Sequence, residues 1–481
     1  MSLRTTGTLI ALLVHLLFAG CSHTATLFPV SNTLFDVRDF GATGDGETLD
    51  SPAIQKAIDA CNEQGGGEVL VPSGSYLCGT ILLKNGVTLR LEKDATLVGS
   101  KDLNDYTNPD FFVDAVGQER GWCLIGLIDV QNAGIVGEGT IDGRGEDFRG
   151  RRPFLVRCVR SQDVRIEGVH LRNSAAWVTH LFQSKRITLS GVDIYSHANK
   201  NNDGIDVDSS SDVLIENCTV DTGDDSVCIK ATSPLPSENI LVQNCKLKSD
   251  WGAFKLGTES MGDFRNIRFI DSVIHDTNGG AIKVISMDGC RMENLKIDNI
   301  KVTNSDMPIF MRLGVRLNKY REPESRTPGY IKDVTISNLI VDGSANSRLD
   351  APSGIVILGE RTEDATHRIE NVLIKNVNIT LEGGGLNDDV GKVLERTARN
   401  NYPEFILFFE PEAKRLFPAY GVYARHVQGL SFENVSITTR NSDSRPLVYL
   451  EDAHEVEVGV TTNSGNGPLI VEKDTSKIIS R

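Results

Sequence analysis

Three aspartates carry the most chemical information in this chain: Asp203, in Asn201-Asn202-Asp203-Gly204, and Asp224 and Asp225, in Gly223-Asp224-Asp225-Ser226. Breaking a glycosidic bond with inversion needs two carboxyl groups in opposite states. One is protonated and gives its proton to the leaving oxygen; the other is ionised and activates a water on the opposite face of the sugar. Aspartates on neighbouring segments of one repeating, strand-rich stretch meet that need, so glycan hydrolysis is the leading expectation. Asp-Asp and Asn-Asp are also ordinary turn residues, and the segments that hold them therefore decide the matter.

Those segments repeat. Val164-Arg165-Ile166, Ile187-Thr188-Leu189, Val213-Leu214-Ile215, Ile240-Leu241-Val242, Ile267-Arg268-Phe269 and Leu295-Lys296-Ile297 open successive copies whose first residues advance by 23, 26, 27, 27 and 28. Period-two alternation broken by turn signals, with no helical phase between, predicts short strands that stack in parallel on the next turn of a solenoid. The predicted fold is all-β, a right-handed parallel β-helix. An Asn recurs at one bend as Asn217, Asn244, Asn299, Asn338, Asn376 and Asn434, with Asp271 in the gap; stacked side-chain amides bonding along the axis are the expected role. Later copies at Val334, Val372 and Leu430 are 38 and 58 residues apart, so the surplus leaves the coil as loops, which decorate a binding face in solenoids. An amphipathic helix is predicted as the amino-terminal cap, with Ser51 as N-cap, Pro52 at the first helical position, Ala53, Ile54, Ala57, Ile58 and Cys61 on one face, and Gly65-Gly66-Gly67 as the stop.

The net charge of -15 argues against nonspecific nucleic-acid binding but not against an anionic sugar, because repulsion from distant surface is screened within about 8 Å at physiological salt. Arg4, the apolar run from Leu9 to Phe18 and Cys21 read as an export signal too short to span a bilayer. Leu17-Phe18-Ala19-Gly20-Cys21 is similar to a bacterial lipobox, which makes Cys21 the lipidated residue and the lipid anchor the expected membrane contact. The expected organisation is a signal over residues 1–21 and one β-helix catalytic domain over 35–460. Eight further cysteines show no zinc spacing, and stacked core thiols are expected rather than bridges.

Asp39-Phe40-Gly41-Ala42, Gly44-Asp45-Gly46, Val71-Pro72-Ser73-Gly74-Ser75-Tyr76-Leu77 and Ala95-Thr96-Leu97-Val98-Gly99-Ser100 resemble the amino-terminal region of polygalacturonase-like family 28 glycoside hydrolases, and the two carboxylate motifs continue the likeness. The resemblance implies a galacturonate-containing pectic substrate and an inverting reaction that uses neither metal nor cofactor. It makes Asp224 the general acid, with Asp203 and Asp225 activating the water. Two departures stand out: Trp251 occupies the place of the family's His, and Ala281-Ile282-Lys283 keeps a Lys but loses an Arg. An indole in place of a base suggests a neutral neighbour such as rhamnose stacked on the ring. Lys230, Lys255, Lys283, Asn201, His180 and Arg312 complete the expected substrate contacts, Lys255 by sharing a strand face with Trp251 and Arg312 by supplying the missing guanidinium from a loop. Two rival readings remain: a pectic lyase or epimerase on the same fold, with the aspartates holding calcium, and an inactive glycan-binding solenoid.

Overall fold

The computed structural model describes residues 34–114, 117–318, 327–343, 349–390 and 417–480. Cys21 and the export signal lie outside the described residues. Thirty-four strands join into one continuous parallel sheet, wound as a right-handed β-helix. Each turn has three strands. Ile205–Asp208, Ser211–Glu216 and Thr219–Thr222 make one turn, and they pair in register with Val227–Ala231, Ser237–Gln243 and Lys246–Ser249 of the next. Inward positions are mostly Ile, Val and Leu, packed coil upon coil into one core. No helix among the described residues is long and apolar enough to cross a membrane.

The capping helix spans Ser51–Glu63, with Ile54, Ala57, Ile58 and Cys61 fully buried. Its N-cap is Asp50, one residue earlier than predicted, and no side chain caps it. The Asp50 carboxylate instead accepts from the Thr43 and Gly44 backbones at 2.7 and 3.0 Å, tying the preceding turn down.

The bend asparagines sit in left-handed backbone, from Asn217 (φ 55°) through Asn244, Asp271, Asn299, Asn338 and Asn376 to Asn434 (φ 53°). Asn and Asp tolerate that conformation far better than other non-glycine residues, so each turn needs one there whether or not its amide is bonded. Asn376 donates to Asn338 at 3.1 Å and Asn434 to Asn376 at 3.0 Å. A second left-handed column, not anticipated above, starts one bend earlier. Asn239 there donates to Asp212, Asn266 to Asn239 and Asn294 to Asn266, at 2.9, 3.0 and 2.6 Å. The eight described cysteines are all free and buried.

Candidate active site

Coil stacking places the aspartates. Asp203 stands two residues before Ile205 and Asp225 two before Val227, and Ile205 pairs with Val227. The two turns therefore superpose along the axis. Trp177, Gly252 and Gly280 fall in the same column, and backbone bonds lock it: Val178 N–H to Asp203 O, Gly204 N–H to Asp225 O and Ser226 N–H to Gly252 O, each at 2.8 Å. Asn202, Asp224 and Trp251 form the adjacent column. Trp251 thus occupies, one coil on, the slot that holds Asp224.

The outer face of the following strands forms a second set. Arg157, His180, Asp206, Cys228, Lys255, Lys283 and Phe310 stack in register. Lys255 Nζ reaches Asp225 Oδ2 at 2.9 Å. Lys230 Nζ lies 3.0 Å from Asp203 Oδ2, 3.1 Å from Asp206 Oδ1 and 3.9 Å from Glu259 Oε2, and 4.2 Å over the Trp177 ring. Lys283 Nζ sits 4.3 Å over the Trp251 ring. Gly252 is what lets these groups meet: a Cβ there would lie 2.5 Å from Asp225 Oδ1 and 3.4 Å from Lys283 Cε.

Five carboxyl groups share three ammonium groups, so full ionisation would leave two uncompensated negative charges in a nearly dry cluster. Burial, then the charges of Asp203 and Asp225, push the Asp224 carboxyl well above the usual range. Burial raises Asp203 as well, against the pull of Lys230, and raises Asp206 strongly. Burial opposes the charge on Lys230, but Asp203 and Asp206 hold it protonated, well above an ordinary lysine. Asp224 is half-buried, its Oδ1 accepts only the Asp225 N–H at 3.0 Å, and no ammonium pairs with it among the described residues. Oδ1 of Asp203 and Oδ1 of Asp225 have no hydrogen-bond partner. Carboxylate oxygens of these two residues and the Cys228 Sγ lie within 4.8 Å of one another. One water spans such a gap between acceptors. A cation held there would share its carboxylates with Lys230 and Lys255.

Asn202, fully buried, clips the Asp203 loop in place: its amide donates to Ser174 O and Ala176 O at 2.8 and 2.9 Å and accepts the Asn199 N–H at 2.8 Å. The Asp224 carbonyl accepts from Thr222 Oγ1 and Ser249 Oγ at 2.9 and 2.7 Å. Asn201 is half-buried and receives Arg152 Nη2 at 2.8 Å.

Several expected contacts lie elsewhere. His180 is 0% exposed, 3.2 Å from Asp208 and edge-on to Trp177, so it supports the wall behind the site and does not face it. Arg312 is not a loop residue; it lies in a strand, Ile309–Leu313, and is paired with Glu360 at 2.5 Å in the buried outer face. Arg316 is likewise buried against Asp288 at 2.7 Å. Trp251 precedes the strand Phe254–Ser260, so it shares no strand face with Lys255, and one face of its indole is taken by Lys283. Ala281 is fully buried in the coil core. Glu259 lies inside that strand. His197 bridges Asp221 at 2.7 Å and Asp250 at 3.0 Å. Asp206 and Cys228 escaped the reading of the sequence, although they fall on the outward positions of the repeats that carry Lys255 and Lys283.

A probable polygalacturonase from Vitis vinifera is 29% identical over 54% of this chain and 60% of its own length. An exo-poly-alpha-D-galacturonosidase from Dickeya chrysanthemi is 26% identical over 69% and 65%. The chain thus spans less than two thirds of either relative. The crystal structure of a hyperthermoactive exopolygalacturonase from Thermotoga maritima superposes with a TM-score of 0.61 at 25% identity, covering 73% of this chain and 88% of that one. Residues 61–396 match the model of glycosyl hydrolases family 28, and the chain belongs to that family.

Proposed function

We propose that this protein hydrolyses a glycosidic bond of galacturonate-containing pectic polysaccharide or oligosaccharide by single displacement. The observation that carries the reading is the division of labour among the aspartates. Asp203 and Asp225 each give one oxygen to a lysine and keep the other without a partner, which suits them to hold and deprotonate one water. Asp224 has no ammonium paired with it among the described residues and a strongly raised affinity for its proton, which suits it to protonate the leaving oxygen. As the bond breaks, positive charge grows on the ring, and the ionised pair stabilises it at close range in a dry site. Lysines that clamp Asp203 and Asp225 speak for a water site rather than a calcium cage, which needs several free oxygens.

Trp251 supports a finer reading. It stands one coil, about 4.8 Å, beyond Asp224, which on this reading sets it beside the sugar that carries the leaving oxygen. An indole there favours a neutral sugar such as rhamnose over a second uronate. Digestion of homogalacturonan and rhamnogalacturonan panels, with products identified by chromatography and their first-formed anomer by nuclear magnetic resonance, tests both levels. Retained configuration would exclude single displacement. Homogalacturonan cleaved at least as well as rhamnogalacturonan would remove the neutral-sugar reading. We also propose export and lipidation at Cys21; a Cys21→Ser chain that still partitions with membranes refutes it.

A further inference from the structure

Arg152 is a buried cation on which Asp114 and Asp203 act only from beyond ion-pair distance. It is 8% exposed, and among the described residues no carboxylate pairs with it. Its bonds all go to neutral acceptors. Nη1 donates to the Lys200 carbonyl, and Nη2 donates to Gln118 Oε1 at 3.1 Å and Asn201 Oδ1 at 2.8 Å. These bonds use three of a guanidinium's five N–H groups. Its basic neighbour Arg120 is neutralised by Asp114 at 2.8 Å. Burial and then the Arg120 charge lower Arg152 to about 10, so it remains charged at neutral pH. A buried charge without a partner is costly, and folds retain one where something else completes it.

Its place says what that is. Val156 pairs with Thr179 and Thr179 with Ile205, which puts Arg152, Ala175 and Asn201 in one column on the edge that bears the aspartates. Arg152 reaches across the small Ala175 to Asn201, two residues from Asp203. It lies on the amino-terminal side of the reacting centre along the axis, whereas Trp251 lies on the carboxy-terminal side.

We propose that Arg152 binds the carboxylate of the uronate on the amino-terminal side of the scissile bond, so that an anion is read on one side of the centre and a neutral ring on the other. This rests on the glycosidase reading above. A purely structural Arg152 would only anchor the Asn201 loop. The Asp224→Asn protein, in which turnover is expected to be at least 100-fold slower, separates the two roles when titrated by calorimetry with trigalacturonate and with its methyl ester.

Expected is a preference for the acid form of at least tenfold, cut at least fivefold by Arg152→Gln through weaker binding of the acid form alone. Arg152→Lys, which keeps the charge, and Asn201→Ala, which keeps the guanidinium but removes its anchor, should both retain most of the preference. Equal weakening of both forms by Arg152→Gln, or an unchanged preference, overturns the proposal. If Arg152→Gln does not melt cooperatively, loss of the preference in Asn201→Ala or Arg152→Lys overturns it. If the parent protein binds neither form and the wild type releases no sugar, the glycosidase reading itself has failed, and this proposal falls with it.

Discussion

Replacing Asp224 by Asn should inactivate the protein and stabilise it at neutral pH, by amounts the site's charge balance sets. Asp203, Asp206, Asp225 and Glu259 each lie within 3.9 Å of Lys230 or Lys255, whereas Asp224 pairs with neither. The amide keeps the shape and the acceptor for the Asp225 N–H, but it cannot give up a proton. General acids contribute about 10²–10⁴-fold, so kcat on the matched pectic substrate should fall at least 100-fold. The stability effect has the opposite sign. A carboxyl raised in the folded state keeps its proton after the unfolded chain has lost it near pH 3.9, so wild-type stability falls as pH rises through that window. Each pH unit of elevation costs about 1.4 kcal/mol at neutral pH. The neutral amide of the variant avoids that cost. Urea unfolding at pH 3.5 and pH 7 should therefore show a gap in favour of the variant that is small at the lower pH and large at the higher. Near-normal turnover would refute Asp224 as acid. A gap that is independent of pH, or a variant less stable at pH 7, would refute the raised proton affinity.

Lys255→Met strips Asp225 of the ammonium 2.9 Å away and should cost about 3–5 kcal/mol in denaturant titration, as removal of one partner from a buried pair does; adding Asp225→Asn should recover much of that stability and none of the activity. Asp206→Asn replaces a fully buried carboxyl that must share the Lys230 ammonium with Asp203. It should raise stability at pH 7 and leave kcat within about tenfold, whereas a loss as large as that of Asp224→Asn would make Asp206 part of the chemistry. Trp251→Ala should lower kcat/KM for the true substrate about tenfold, or about 1.4 kcal/mol, with melting measured alongside; unchanged kcat/KM would show that the indole serves only Lys283 and the apolar cluster beside it.

The sequence made the coil and the convergence of the aspartates legible for one reason: both obey a local count. Asp203 and Asp225 stand at the same offset from strands that repeat, so finding the repeat finds the column. The left-handed bends at Asp212 and Asn239 follow the same logic, but they stand just before the strand pattern and mix Asp with Asn, so they lack the uniform column that marks the bend after it. Arg312 failed differently. Gly314 after it reads as a loop signal, yet its place is decided by Glu360, 48 residues later, and no local pattern announces which buried charge will find which. Arg152 carries no local signal, because its partners, Gln118, Lys200 and Asn201, come from separate excursions of the chain. For His180 the sequence lacks a depth cue. Alternation gives a side chain's direction but not whether Trp177 and Phe154 will cover it.

The outward row also bears on why the proposed reaction would sit at the aspartates. From Arg157 to Lys283 the row is largely polar or charged; from Phe310 onward it continues as Val356, Tyr423 and Tyr449, packed with Leu349 and Phe417 into a second apolar cluster outside the coil. A solenoid with uniform outer faces would offer a charged polymer no preferred register. Here the polar stretch ends where Trp251 meets the apolar cluster, and that edge lies one coil from Asp224. The lysines cannot relax the crowding of carboxyls, because each already serves at least one acid or an aromatic face. The excess charge must therefore be carried as bound protons, and Asp224, beside no ammonium among the described residues and partly open to water, is the carboxyl that the proposed reaction needs protonated.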